Sequence, residues 1–159
     1  IIPSGRALGQ AWLSETHDRL LHSRSVLIDE MATLLGGRVA EEMIFGQPSS
    51  GASNDLERVG EIARAMVREM GMSDAVGALV YAGAEGNGAS PTYSEETARL
   101  IDFEARALVD QAERRARELL EAAADALERV AQALLDREIL SGDEIERTIA
   151  GVTADPRPS

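Results

Sequence analysis

Between Arg24 and Phe45 the apolar residues Leu27, Ile28, Met31, Leu34, Leu35, Val39 and Met43 recur mostly three and four positions apart. That spacing places them along one face of a helix and along no face of a strand. A stripe of this kind has to be buried against other elements, and composition favours helices for that role. Hydrophobic residues make up 44% of the chain but aromatics only 3%, so Leu, Ala, Val and Ile must build the core. Ala, Leu, Glu and Arg lose little rotamer freedom in a helix. A mainly α fold is expected, in one domain over residues 1–151 with a core of real size.

The other elements are read from the same signals. Ile1 to Leu13, with Pro3, Gly5 and Gly9 among apolar residues, reads as a short β element near the N-terminus. Gly36-Gly37 lowers helix propensity and is expected to interrupt the first helix, letting a backbone or a ligand come close. After a loop over 46–51, Ser53 or Asn54 is expected to cap a second helix to about Met70, closed by Gly71. The stretch Ala78-Leu79-Val80-Tyr81 reads as a short strand in a glycine-rich loop. Three further helices are expected at Ser94–Leu120, Asp125–Arg137 and Gly142–Ile149. The first carries the stripe Ile101, Ala105, Leu108, Ala112, Ala116 and Leu119. The other two open on D-x-x-E (Asp125, Glu128) and S-x-x-E (Ser141, Glu144), the second being the better capping box. Residues 152–159 form a patternless tail, expected to be disordered.

Charge and residue usage exclude several function classes. The formal net charge is −12, with 28 acids against 16 bases, every base being arginine. So acidic a chain is repelled by phosphate backbones, which argues against nucleic acid as a partner. There is no cysteine, hence no disulfide, thiolate metal site or cysteine nucleophile. No apolar run reaches the roughly 20 residues that span a bilayer, and no signal peptide opens the chain, so it is expected to be soluble by itself. Its start at Ile1-Ile2-Pro3, without methionine, suggests a fragment of something longer.

Candidate chemistry is sparse. His17 and His22, five apart, would not share a helix face, and they read as solvated surface histidines. No G-x-S-x-G elbow, Walker loop or Cys/His cluster occurs. Two features go further. Gly36-Gly37-Arg38-Val39-Ala40-Glu41-Glu42 places paired carboxylates directly after a double glycine, and Arg38 is expected to pair with a nearby acid. Ser50-Gly51-Ala52-Ser53-Asn54-Asp55 places an acid at a helix start, where it complements the dipole.

At these residues the sequence resembles the FtsH peptidase family. The likeness runs from Ile1-Ile2-Pro3, Arg6-Ala7-Leu8-Gly9 and Ser23-Arg24 through Leu34-Leu35-Gly36-Gly37-Arg38-Val39-Ala40-Glu41-Glu42 and Phe45-Gly46. It continues in Ser50-Gly51-Ala52-Ser53-Asn54-Asp55-Leu56-Glu57-Arg58, Ile62-Ala63-Arg64, Met66-Val67, Gly71-Met72-Ser73, Ser94-Glu95-Glu96-Thr97-Ala98 and Ile101-Asp102. So many ordered matches, spread up to about Ile149, are far more specific than any single motif.

The resemblance implies the helical peptidase domain of a membrane-anchored, hexameric, ATP-dependent zinc metalloprotease. Such a protein carries its peptidase on the cytoplasmic (or matrix or stromal) side and degrades unfolded or membrane proteins. An AAA ATPase module of the same chain, using ATP and Mg, feeds unfolded proteins to a self-assembled ring. Zinc is held by two histidines of H-E-x-x-H and by a downstream aspartate that corresponds to Asp55. The motif's glutamate is the general base. Leu8, Gly9, Gln10, Ala11 and Trp12 correspond to a strand that pairs with substrate backbone, although Ser14-Glu15-Thr16-His17-Asp18 departs from the family's pattern just after it. Glu41 and Glu42 read either as groups orienting a zinc-bound histidine or as a solvated or interface-facing acid pair. In the family H-E-x-x-H lies upstream of the I-I-P segment, and His17 and His22 fall where it has no ligand. The present chain is therefore expected to be inactive for want of its histidine ligands. The rival reading is a non-catalytic helical oligomerisation module of an FtsH-like protein.

Overall fold

Ser23, in extended conformation, starts the first helix: its hydroxyl accepts from the N–H of Val26 at 3.4 Å. In the computed structural model, which describes residues 22–81 and 93–151, this helix, α1, spans Arg24–Phe45. It ends at Gly46, whose φ of +72° suits a residue without Cβ and whose N–H donates to the Glu42 carbonyl at 2.9 Å. A 3-10 turn at Ser50–Ala52 leads into α2, Ser53–Arg68. Then come α3, Glu95–Ala122, α4, Ala124–Arg137, and α5, Gly142–Ile149. The fold is mainly α, as expected, and no strand occurs among the described residues. The expected N-terminal β element and the 152–159 tail lie outside them.

The described residues fall into two compact units, divided between Glu118 and Leu119. In the first, α1 buries Leu27, Ile28, Met31, Ala32, Leu35 and Val39. Packed against it, α2 buries Val59, Ile62, Ala63, Met66 and Val67. Leu34 and Met43, the remaining members of the α1 stripe, are only half-buried. The α3 stripe is buried at Ile101, Ala105, Leu108, Ala112 and Ala116. Polar contacts tie α3 to α1: Arg24 donates to Gln111 at 3.0 Å, and Arg115 meets Asp29 at 3.5 Å. Past α2, the buried Ser73 donates to Glu104 at 2.8 Å while accepting from the N–H of Val76.

In the second unit α4 and α5 pack as a hairpin. The Ser141–Glu144 capping box forms with both of its bonds. Glu144 also holds Arg137 at 2.8 Å, and Arg129 donates to the carbonyls of Thr148 and Ile149 at the far end of α5. Of the described residues in this unit, none is fully buried.

Several expectations are corrected. Gly36 and Gly37 do not interrupt α1, and a Cβ on either would meet nothing within 4 Å. Their propensity deficit of about 1 kcal/mol each is outweighed by the buried stripe on both sides of them. Residues 78–81 form no strand; Tyr81 instead bonds Arg68, its N–H reaching the carbonyl at 2.7 Å, and its ring meets Tyr93 edge-on at 5.6 Å. Neither Ser53 nor Asn54 caps α2, which starts at Ala52 without a side-chain bond. Likewise α4 starts from Ala123, which puts Asp125 inside the first turn and not at the cap. Leu119, read as part of the α3 stripe, is 49% exposed.

Candidate functional site

Glu41 and Glu42 sit one turn before the end of α1, so their side chains leave the helix in different directions. Glu41 reaches forward over the chain reversal at Gly46. Its two oxygens accept separately from the N–H and the hydroxyl of Ser49, both at 2.8 Å. These two bonds, the backbone one first, hold the Glu41 carboxyl below the usual glutamate range, and the charge of Arg38 adds to the effect. Arg38 itself forms no ion pair with a described residue within 4 Å, contrary to expectation.

Glu42 turns to α3. Arg117 donates to it at 2.8 Å and also lies 3.8 Å from Glu113. Both partners of the 2.8 Å pair are about one-third exposed, so solvent screening limits it to under about 1 kcal/mol. Among the described residues the two acids thus serve different neighbours, one a loop and the other a helix.

Ser49 is the element that sequence reasoning missed. While donating to Glu41, its hydroxyl accepts from the N–H of Gly51 at 3.2 Å and so caps the 3-10 turn. The small-residue run Pro48-Ser49-Ser50-Gly51 hinted at a capped turn, but nothing local names a glutamate eight residues earlier as its partner. The turn runs straight into α2, whose first turn carries Asp55.

Asp55 is exposed and makes no hydrogen bond or ion pair with a described residue. Its carboxyl, in the first turn of α2, is a suitable oxygen donor for zinc. One donor does not make a site, however. No three His, Asp or Glu side chains stand close enough together to hold a metal ion among the described residues. His22 is exposed, while His17 and the expected substrate-pairing residues Leu8 to Trp12 lie outside the described residues. Nor is any described helix long and apolar enough to cross a membrane.

Comparison with known proteins identifies close kin. The sequence model of the family described as Peptidase family M41 matches residues 1–148. "ATP-dependent zinc metalloprotease FtsH 1" of Thermoanaerobacter sp. (strain X514) is 41% identical over 158 residues, covering 95% of this chain and 26% of that protein. "ATP-dependent zinc metalloprotease FtsH" of Parabacteroides distasonis is 44% identical over 148 residues, covering 92% of this chain and 22% of the relative. The protein of the same name from Rhodothermus marinus is 43% identical over 164 residues, with coverage of 99% and 22%. The chain thus spans about a quarter of the length of the curated relatives it matches.

Proposed function

The chain belongs to peptidase family M41, and from that premise we propose that it is the proteolytic part of an ATP-dependent zinc metalloprotease, with Asp55 as its zinc-binding carboxylate. The observation that carries this reading is the exposed Asp55 carboxylate, unengaged by any described residue, in the first turn of α2 and directly after the turn that Glu41 and Ser49 hold. Zinc bound there, with histidines from outside the described residues, would supply a Lewis acid and a water of lowered pKa for peptide hydrolysis.

Each of the chain's own residues has a task in this reading. Asp55 contributes negative charge and one oxygen ligand. The segment Leu8, Gly9, Gln10, Ala11 and Trp12 pairs with the backbone of an unfolded substrate, which allows cleavage without sequence preference. The two histidine ligands and the glutamate base would come from an H-E-x-x-H segment of the longer protein. The relatives' names support zinc and coupling to ATP hydrolysis. A self-assembled hexameric ring, an AAA ATPase module using ATP and Mg, and a membrane anchor complete the proposal.

Zinc analysis of a polypeptide extended upstream through H-E-x-x-H tests it. One zinc per chain is expected, lost in Asp55→Ala. An extended protein that takes up no zinc would instead favour a non-catalytic helical assembly module.

A further inference from the structure

The start of α2 is held from outside the helix. Its N-cap position is Ala52, which has no side chain to accept from the first free N–H groups. The preceding turn depends on Ser49, whose hydroxyl accepts from Gly51 and donates to Glu41. Glu41 meets both polar groups of Ser49 with separate oxygens at 2.8 Å, a two-point grip that leaves the residue little freedom to rotate. Gly51 is fitted to the same arrangement: a Cβ there would lie 3.3 Å from the Ser49 oxygen and press on it. From the rigid body of α1 the connection therefore runs through Glu41, Ser49 and Gly51 to the first turn of α2.

We propose that Glu41 is a positioning residue which, by gripping Ser49, fixes the register of the 46–52 turn and so the direction in which Asp55 leaves α2. The inference rests on the reading of Asp55 as a zinc ligand and extends it to how that ligand is aimed. The grip is solvent-exposed, and exposed hydrogen bonds contribute little to global stability. Its effect is geometric, and metal ligation is sensitive to geometry, tolerating displacements of only about 0.5 Å. The sequence offers Glu41 as a group orienting a zinc-bound histidine, but both of its oxygens are engaged by Ser49 and reach the metal site through Asp55 instead.

The test uses the upstream-extended protein, with zinc itself as the probe in competition with a chromophoric chelator. Glu41→Gln and Ser49→Ala should each weaken zinc binding roughly 10- to 100-fold, the range for residues that orient metal ligands. Urea unfolding midpoints of the zinc-free variants should stay at the parent value. Ser49→Thr, which keeps both the hydroxyl and the N–H, should restore most of the affinity. Zinc affinity unchanged in Glu41→Gln and Ser49→Ala, while Asp55→Ala abolishes binding, overturns the positioning role and leaves the zinc reading standing. Affinity that falls only in step with the unfolding midpoint overturns it as well, since the grip would then be merely structural. If Asp55→Ala leaves zinc uptake intact, the zinc reading fails and this inference fails with it.

Discussion

Replacing Leu35 by Ala probes the packing on which the first unit depends. Leu35 is 2% exposed and belongs to the fully buried set with Met31, Val39, Val59, Met66 and Val67 from α1 and α2. The substitution removes three carbons from an apolar site, worth about 2.4 kcal/mol at ~0.8 kcal/mol each. Each ~40 Å3 of void that fails to collapse adds about 1 kcal/mol at roughly 24 cal/mol per Å3. The neighbours are held on two helices and relax only in part, so the expected loss is about 3 to 3.5 kcal/mol. With a urea m-value of about 2 kcal/mol per M, that lowers the unfolding midpoint by about 1.5 M with the slope unchanged. Urea titration followed by far-UV circular dichroism reads it directly. Leu56→Ala on α2 removes the same atoms from a side chain 41% exposed and should cost less than half as much. Equal shifts for the two variants would refute the assignment of Leu35 to the core.

Three further outcomes follow from single contacts. Gly37→Ala should stabilise the protein by about 0.5 to 1 kcal/mol, because α1 is continuous there and the Cβ meets open space; a lower melting temperature would mean that the space is used. Ser141→Ala breaks the capping box and should cost about 1 kcal/mol, seen as faster amide exchange in the first turn of α5 and not in α1. The folded-state pKa of Glu41 is depressed, so between that value and the ordinary one the unfolded chain binds more protons and stability rises with pH. The Ser49 grip is thus complete above the ordinary glutamate range and is lost as pH falls through the folded value. A Ser49 amide resonance that titrates at or above the ordinary range would contradict this.

Much of the architecture was legible because it depends on neighbours within a turn or two. The period of Leu27, Ile28, Met31, Leu35 and Val39 placed α1 at Arg24–Phe45, and the S-x-x-E pattern placed α5 at Gly142–Ile149. The family, too, was written in the ordered motifs from Ile1-Ile2-Pro3 to Ile101-Asp102, and the match over residues 1–148 agrees. Asp55 was legible as an acid in a helix's first turn for the same local reason.

Only the tertiary structure decided the rest. Local propensity argued for a break at Gly36-Gly37, yet burial of the stripe on both sides carries the helix through. Ser53 and Asn54 are good caps, but the turn pinned at Ser49 starts α2 before either can act. The two glutamates look alike in the sequence and separate in space, Glu41 to a serine eight residues on and Glu42 to an arginine 75 residues on. A periodic pattern reports which face of a helix is buried. It carries no record of which distant side chain meets a given carboxylate, because that meeting depends on how helices far apart in the chain pack.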